Sequence, residues 1–210
     1  IKAYVDEWYE NNLLNYYDKY ISKSAIYCND RSVQNNNYSI SNWFDYGAYT
    51  RLSNYTPTYK CGGNGNNGLF ESIQAIADKF SASTDGGGNG QLKYPIALMT
   101  ADEVSFAGGV WQTNLTSPYA WYYTNSQGES IMDSSDWYSM SPRRWTGSYA
   151  FVSSVCGSGN PGYISNISTK DMYAVRPVIS ISECAKVKSG SGLPFDPYVI
   201  DYDNSCIGEV

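Results

Sequence analysis

Apolar residues first recur at helical spacing. In "IKAYVDEWYENNLLNYYDKYI", residues Val5, Trp8, Tyr9, Leu13, Tyr16, Tyr17 and Tyr20 follow at steps of three, four and one. That pattern predicts one long amphipathic helix with a single apolar stripe. From Ser22 to Gly68 it breaks into short aromatic clusters, "NWFDYGAYTRL" among them, set between Asn- and Gly-rich turns, and predicts loop and short strand. "CGGNGNNG" and "DGGGNGQ" are too dense in glycine for the interior of a helix or strand, because each glycine loses much backbone entropy on ordering. Between them "LFESIQAIADKF" predicts a second, shorter amphipathic helix. Tyr94 to Met99 predicts a short buried strand. Thr100 with Glu103 three residues on predicts a capping box, and Gly108 and Gly109 stop the short helix that it opens. Downstream, "YAWYYTN", "RRWTGSYAFVSSV", "MYAVRPVISI" and "PYVIDY" predict strands separated by turns. Helices first and strands afterwards point to an α+β domain over 1–210, with a helix and loop region at 1–68 and a core at 69–210.

Composition narrows the function classes. The 210 residues hold 21 Tyr and 6 Trp but only 16% charged residues, a mix of apolar area and hydrogen-bonding tips that suits recognition surfaces. The chain has no His, which removes Ser-His-Asp and Cys-His nucleophiles and every imidazole metal site. A net charge of −6 gives no footprint for nucleic acid or anionic membrane, so neither is an expected partner. No apolar run is long enough for direct membrane insertion. The chain starts at Ile without a leader, and is expected to be a mature fragment or excised domain of an exported protein. Cys28, Cys61, Cys156, Cys184 and Cys206 show no zinc spacing and fit an extracellular or cell-surface protein with disulfides. Neighbourhood pairs Cys28 with Cys61 and Cys184 with Cys206, leaving Cys156 free.

Three pieces carry a resemblance: "YPIALMTADEVSFAGG", then Trp137 with "MSP" at 140–142, then "AVRPVISI" followed by "SGSGLPFDPYVI". Together they resemble the C-terminal domain of bacterial surface and prepilin-like proteins, related to the formylglycine-generating-enzyme branch of the C-type-lectin-like fold and to the variable proteins of diversity-generating retroelements. The resemblance implies an α+β, C-type-lectin-like fold with two main helices, a small antiparallel sheet and long irregular loops. It implies no particular ligand, because one fold hosts many functions.

The stretch "WYSMSPRRWTGSYAF" concentrates the candidate chemistry. Trp137 and Met140 are expected in the core. Arg143 and Arg144 are adjacent, and at least one should face solvent. Trp145, Tyr149 and Phe151 share one strand face at period two. That face is either ordinary core or an aromatic patch rimmed by Arg143, Arg144, Asn160 and Tyr163, able to stack on a sugar or anchor a protein. Arg176 sits in an apolar run before Pro177, and Asp102 or Glu103 is its expected counter-charge. The loop acids Asp133, Asp136, Asp171, Asp196, Asp201 and Asp203 could supply a glycosidase pair or hard oxygen ligands for calcium. The sugar-coordinating EPN and QPD tripeptides and the EF-hand pattern are absent, so no cofactor is expected and calcium stays an open option. The reading is a non-enzymatic, adhesin-like domain binding a cell-surface protein or glycan through Tyr138, Arg143, Arg144, Trp145, Tyr149, Asn160 and Tyr163. The alternatives are a structural subunit of a surface filament and a carboxylate-dependent hydrolase.

Overall fold

The structure is a computed structural model that describes residues 1–33, 39–61, 77–85, 87–114, 136–156, 162–193 and 195–205. Among these residues 38% are strand and 17% helix, and the helices number three. This corrects the expected α+β, lectin-like fold with two main helices and a small sheet, because most of the chain's apolar alternation is spent on strand pairing. The longest sheet has six strands and curls.

Helix α1 (Lys2–Asn12) forms where the N-terminal stripe predicts it, burying Val5 and Tyr9, but it ends well short of Tyr20. A single 3-10 turn follows at Asp18–Tyr20. Tyr9 stacks on Tyr94 at 5.0 Å and donates its hydroxyl to Asp18, so burial is joined to a satisfied polar tip. Strand β1 (Tyr27–Asp30) is followed by β2 (Trp43–Asp45) and by α2 (Gly47–Ser53), a helix that the sequence pattern does not announce. Strand β3 (Ala77–Ser81) occupies the end of the segment expected to be the second helix; residues 69–76 lie outside the described residues. The reason is tertiary: Ala77 to Phe80 pair antiparallel with Asp30 to Tyr27, and Arg31 bridges to Asp78 beside them. Strand β4 (Gly90–Gln91) closes that three-stranded sheet.

Strand β5 (Ala97–Leu98) leads into α3 (Ala101–Phe106), whose Thr100 and Glu103 form the expected capping box. Strands β6 (Val110–Trp111), β7 (Trp137–Thr146), β8 (Ala150–Val155), β9 (Tyr163–Ser168) and β10 (Ala174–Val175) run in the order β10-β7-β8-β9-β6, and β2 joins by pairing with β7. Strand β7 carries Pro142 in its middle, which cannot donate to the ladder. The register with β8 shifts on both sides of Pro142, and such irregularities bend a strand and sharpen its twist. The two ends of β7 consequently take different neighbours: Trp137 and Tyr138 pair with β10, while Arg144 to Thr146 pair with β2. Gly147 turns the chain from β7 into β8 at a φ of 84°, and a side chain there would meet the Ser41 carbonyl at 3.1 Å. Strand β11 (Pro177–Val178) pairs with β5, and β12 (Ala185–Ser189) pairs with β13 (Val199–Tyr202).

The main core joins Leu52 of α2, Ala101 and Val104 of α3, and Trp111, Trp137, Val155 and Ile164 of the curled sheet. Met140 packs half-buried against a second cluster of Tyr27, Leu92 and Ala97. A disulfide joins Cys28 to Cys61, Cys156 is free, and Cys184 is disulfide-bonded; Cys206, its expected partner, lies outside the described residues. A disulfide is consistent with an extracellular location. Among the described residues no helix is long and apolar enough to cross a membrane.

Candidate functional site

The tail of β7, the turn at Gly147 and strand β2 bring aromatic rings and cations together at one end of the curled sheet. Register fixes which residues share a face. Trp43 lies opposite Thr146, and Asp45, Arg144, Phe151 and Ser168 line up across four strands. Asp45 is buried and accepts from both neighbouring arginines: Nη1 of Arg143, and Nε and Nη2 of Arg144 at 2.7 and 3.1 Å. The side chain of Arg143 is 7% exposed and that of Arg144 33%. One carboxylate therefore serves two guanidinium groups, and only the outer one reaches water.

The rest of the counter-field comes from aromatic faces. The Arg143 guanidinium lies 3.8 Å from the Tyr49 ring centre and 5.7 Å from that of Trp111, and the Arg144 guanidinium lies 4.8 Å from Trp43. Rings and cations thus alternate from Trp111 in the core outward through Tyr49 to Trp43, which is 63% exposed. Burial pulls the Arg143 guanidinium below its ordinary value, and its Nε makes no hydrogen bond. The hydrogen bonds that Arg144 donates to Asp45 push its guanidinium the other way. Across the hairpin turn, Tyr149 is half exposed and carries the Lys170 ammonium 4.5 Å from its ring centre. Thr146 ties the turn by accepting from the Tyr149 amide and donating to the Tyr149 carbonyl. Trp145, half-buried, donates Nε1 to the Ile40 carbonyl and fixes the preceding loop.

Of the residues singled out from sequence, Arg144 and Tyr149 meet here, while Trp145 pairs with Phe44 and Ala150 and so lies on the opposite face of the sheet. Arg143 lies beneath them as support. Tyr138 is buried at the far end of β7, where its hydroxyl donates to the Asp171 carbonyl, and its ring offers nothing to a ligand. Tyr163, half-buried, begins β9 opposite Val110, away from the turn. Asn160 lies outside the described residues. Sequence reasoning missed Trp43, Asp45, Tyr49 and Lys170. The first three stand in the quoted cluster "NWFDYGAYTRL", yet nothing local says that this cluster pairs with β7 a hundred residues on.

The residues expected to be structural divide similarly. Trp137 is fully buried, with the Arg176 guanidinium 5.5 Å from its ring centre. The carboxylates expected for Arg176 are committed elsewhere. Asp102 receives Nε and Nη2 of Arg51 and the Thr58 amide, and Glu103 receives the Thr100 amide and hydroxyl. Arg51 also gives Nη1 to Asp30 and is 3% exposed. This triad floors a polar cavity of about 400 Å³ whose wall includes the Cys28–Cys61 disulfide. Its acids are engaged in holding Arg51 and capping α3. Among the described residues no group of three or more carboxylates or cysteines converges as a metal site.

No protein family, curated protein or solved structure matches the chain. The functional reading therefore rests on the geometry of the patch.

Proposed function

We propose that this is an extracellular, non-enzymatic binding domain whose recognition surface is the end of the curled sheet formed by Trp43, Arg144 and Tyr149, with Lys170 beside them. The observation that carries the reading is the ladder of alternating rings and guanidinium groups, which begins at a core tryptophan and ends at rings open to solvent. Exposed Trp and Tyr supply large contact area at low conformational cost, and Arg supplies oriented donors. Here the supports are themselves buried: Asp45 holds both arginines, so Arg144 is presented in one geometry before a ligand arrives. The Cys28–Cys61 disulfide and the Tyr- and Asn-rich composition favour an oxidising, cell-surface setting.

The test is an array of glycans together with capture of surface proteins, using Trp43→Ala and Tyr149→Ala beside the unaltered chain. Trp43 is mostly and Tyr149 half exposed, so the melting temperature should change little while retained ligand falls by about tenfold, the loss of roughly 1.4 kcal/mol. Ligand retained equally by the variants would overturn the reading.

A further inference from the structure

We infer that the patch binds an acidic glycan, a sugar polymer carrying carboxylate or sulfate groups. This rests on the patch reading above and adds the chemical class of the ligand. The chain as a whole is acidic, at −6, yet the site holds Arg143 and Arg144 against one acid, Asp45, and sets Lys170 over Tyr149, so these four charged groups sum to +2. Asp45 is buried, so its charge is turned inward. What faces water is the outer side of Arg144, whose Nη1 makes no hydrogen bond among the described residues, and Lys170, which makes no ion pair among them. A basic aromatic spot on an acidic molecule attracts anions locally while the remaining surface repels them.

Two cation and ring pairs make up the spot: Arg144 with Trp43, and Lys170 with Tyr149. Trp43 lies on β2 and Tyr149 in the turn immediately before β8, with β7 between the two strands. Two strand spacings separate the backbones that carry the rings, roughly 10 Å. A polymer whose charge repeats at about the length of a disaccharide meets both pairs in succession. A pyranose presents a C–H face that lies against an aromatic ring, while its carboxylate or sulfate reaches the cation beside that ring. An acidic peptide is the weaker fit, since peptide hot spots are buried in well-packed pockets and these rings stand on an open sheet face.

The experiment measures binding of the full chain to oligogalacturonate and to dextran sulfate, each beside its uncharged counterpart, methyl-esterified oligogalacturonate and dextran, and to poly-L-glutamate. The expected result is binding of at least one acidic polysaccharide about tenfold tighter than its neutral counterpart, with the two acidic probes distinguishing carboxylate from sulfate. Lys170→Gln and Tyr149→Ala should each weaken that binding about fivefold at unchanged melting temperature. Binding should also fade as ionic strength approaches 1 M, where charges are screened beyond about 3 Å. Equal binding of charged and neutral sugars, with both variants still weakening it, would overturn the acidic class and leave the patch standing. Poly-L-glutamate binding as tightly as the sugars, or no probe binding at all, would overturn the inference as well. Acidic-sugar binding that neither variant disturbs would overturn the patch together with it.

Discussion

Arg51 and Arg143 are both buried cations, and their surroundings give them different duties. Arg51 has two carboxylates, Asp30 and Asp102, and each of its three guanidinium nitrogens donates to one of them, so its charge is compensated locally. These partners hold its guanidinium well above the ordinary value despite burial. Arg143 shares a single carboxylate and leans on Tyr49 instead. Arg51→Met should therefore strand two buried acids and lower the unfolding free energy by about 3 to 5 kcal/mol, measured by urea titration. Adding Asp30→Asn and Asp102→Asn to that variant should recover part of the loss, because the stranded charges go with it. The sequence shows that a buried arginine would need Asp102, but assigns that acid to Arg176. Arg176 stands amid apolar neighbours, the local mark of a buried cation, whereas Arg51 stands between Thr50 and Leu52 and carries no such mark. The choice between them is made by α2 docking on α3, a contact with no local signature.

Elements whose signals are local were legible, and those that depend on a distant strand were not. The capping box at Thr100 and Glu103 involves residues three apart, and both of its hydrogen bonds form as expected. Thr100→Ala should cost about 1 kcal/mol by removing the acceptor for the Glu103 amide, while Thr100→Ser should cost a fraction of that; equilibrium denaturation measures both. Strand β3 is the opposite case. Its residues Ala77 to Phe80 continue a helical apolar spacing, yet they pair with β1, and strand pairing overrides a weak local preference. Helix α2 escaped notice because seven residues hold too few turns for a periodic stripe, even though Ala48 and Leu52 stand one turn apart and both are buried. In the candidate site, Arg144 and Tyr149 were legible from their own stretch, but period-two counting carried the strand straight through Gly147. The turn there folds Tyr149 back beside Thr146.

At the scale of the molecule, the Cys28–Cys61 disulfide ties β1 to the segment that covers the Arg51 triad. It closes a separation of 33 residues, for which chain entropy predicts a contribution of about 3 to 4 kcal/mol. Replacing both cysteines with alanine should lower stability by up to that amount in a denaturant titration, while Lys170 and Tyr149, on the other sheet, keep their arrangement. Pairing of these two cysteines was legible from neighbourhood alone. The architecture was not, since the curled sheet is assembled from segments as far apart as β2 and β7, and the expected lectin-like arrangement has no place for it. The sharing of Asp45 has a last effect on what can occupy the patch. A small mobile anion such as phosphate meets only the outer nitrogen of Arg144, because a tethered carboxylate holds Nε and Nη2 at an effective concentration no dissolved ion matches. A chain that engages Arg144 and Lys170 at once gains avidity from its second contact. The surface should accordingly hold single small anions weakly and respond to ligand length, tightening with each added repeat until both cations are spanned.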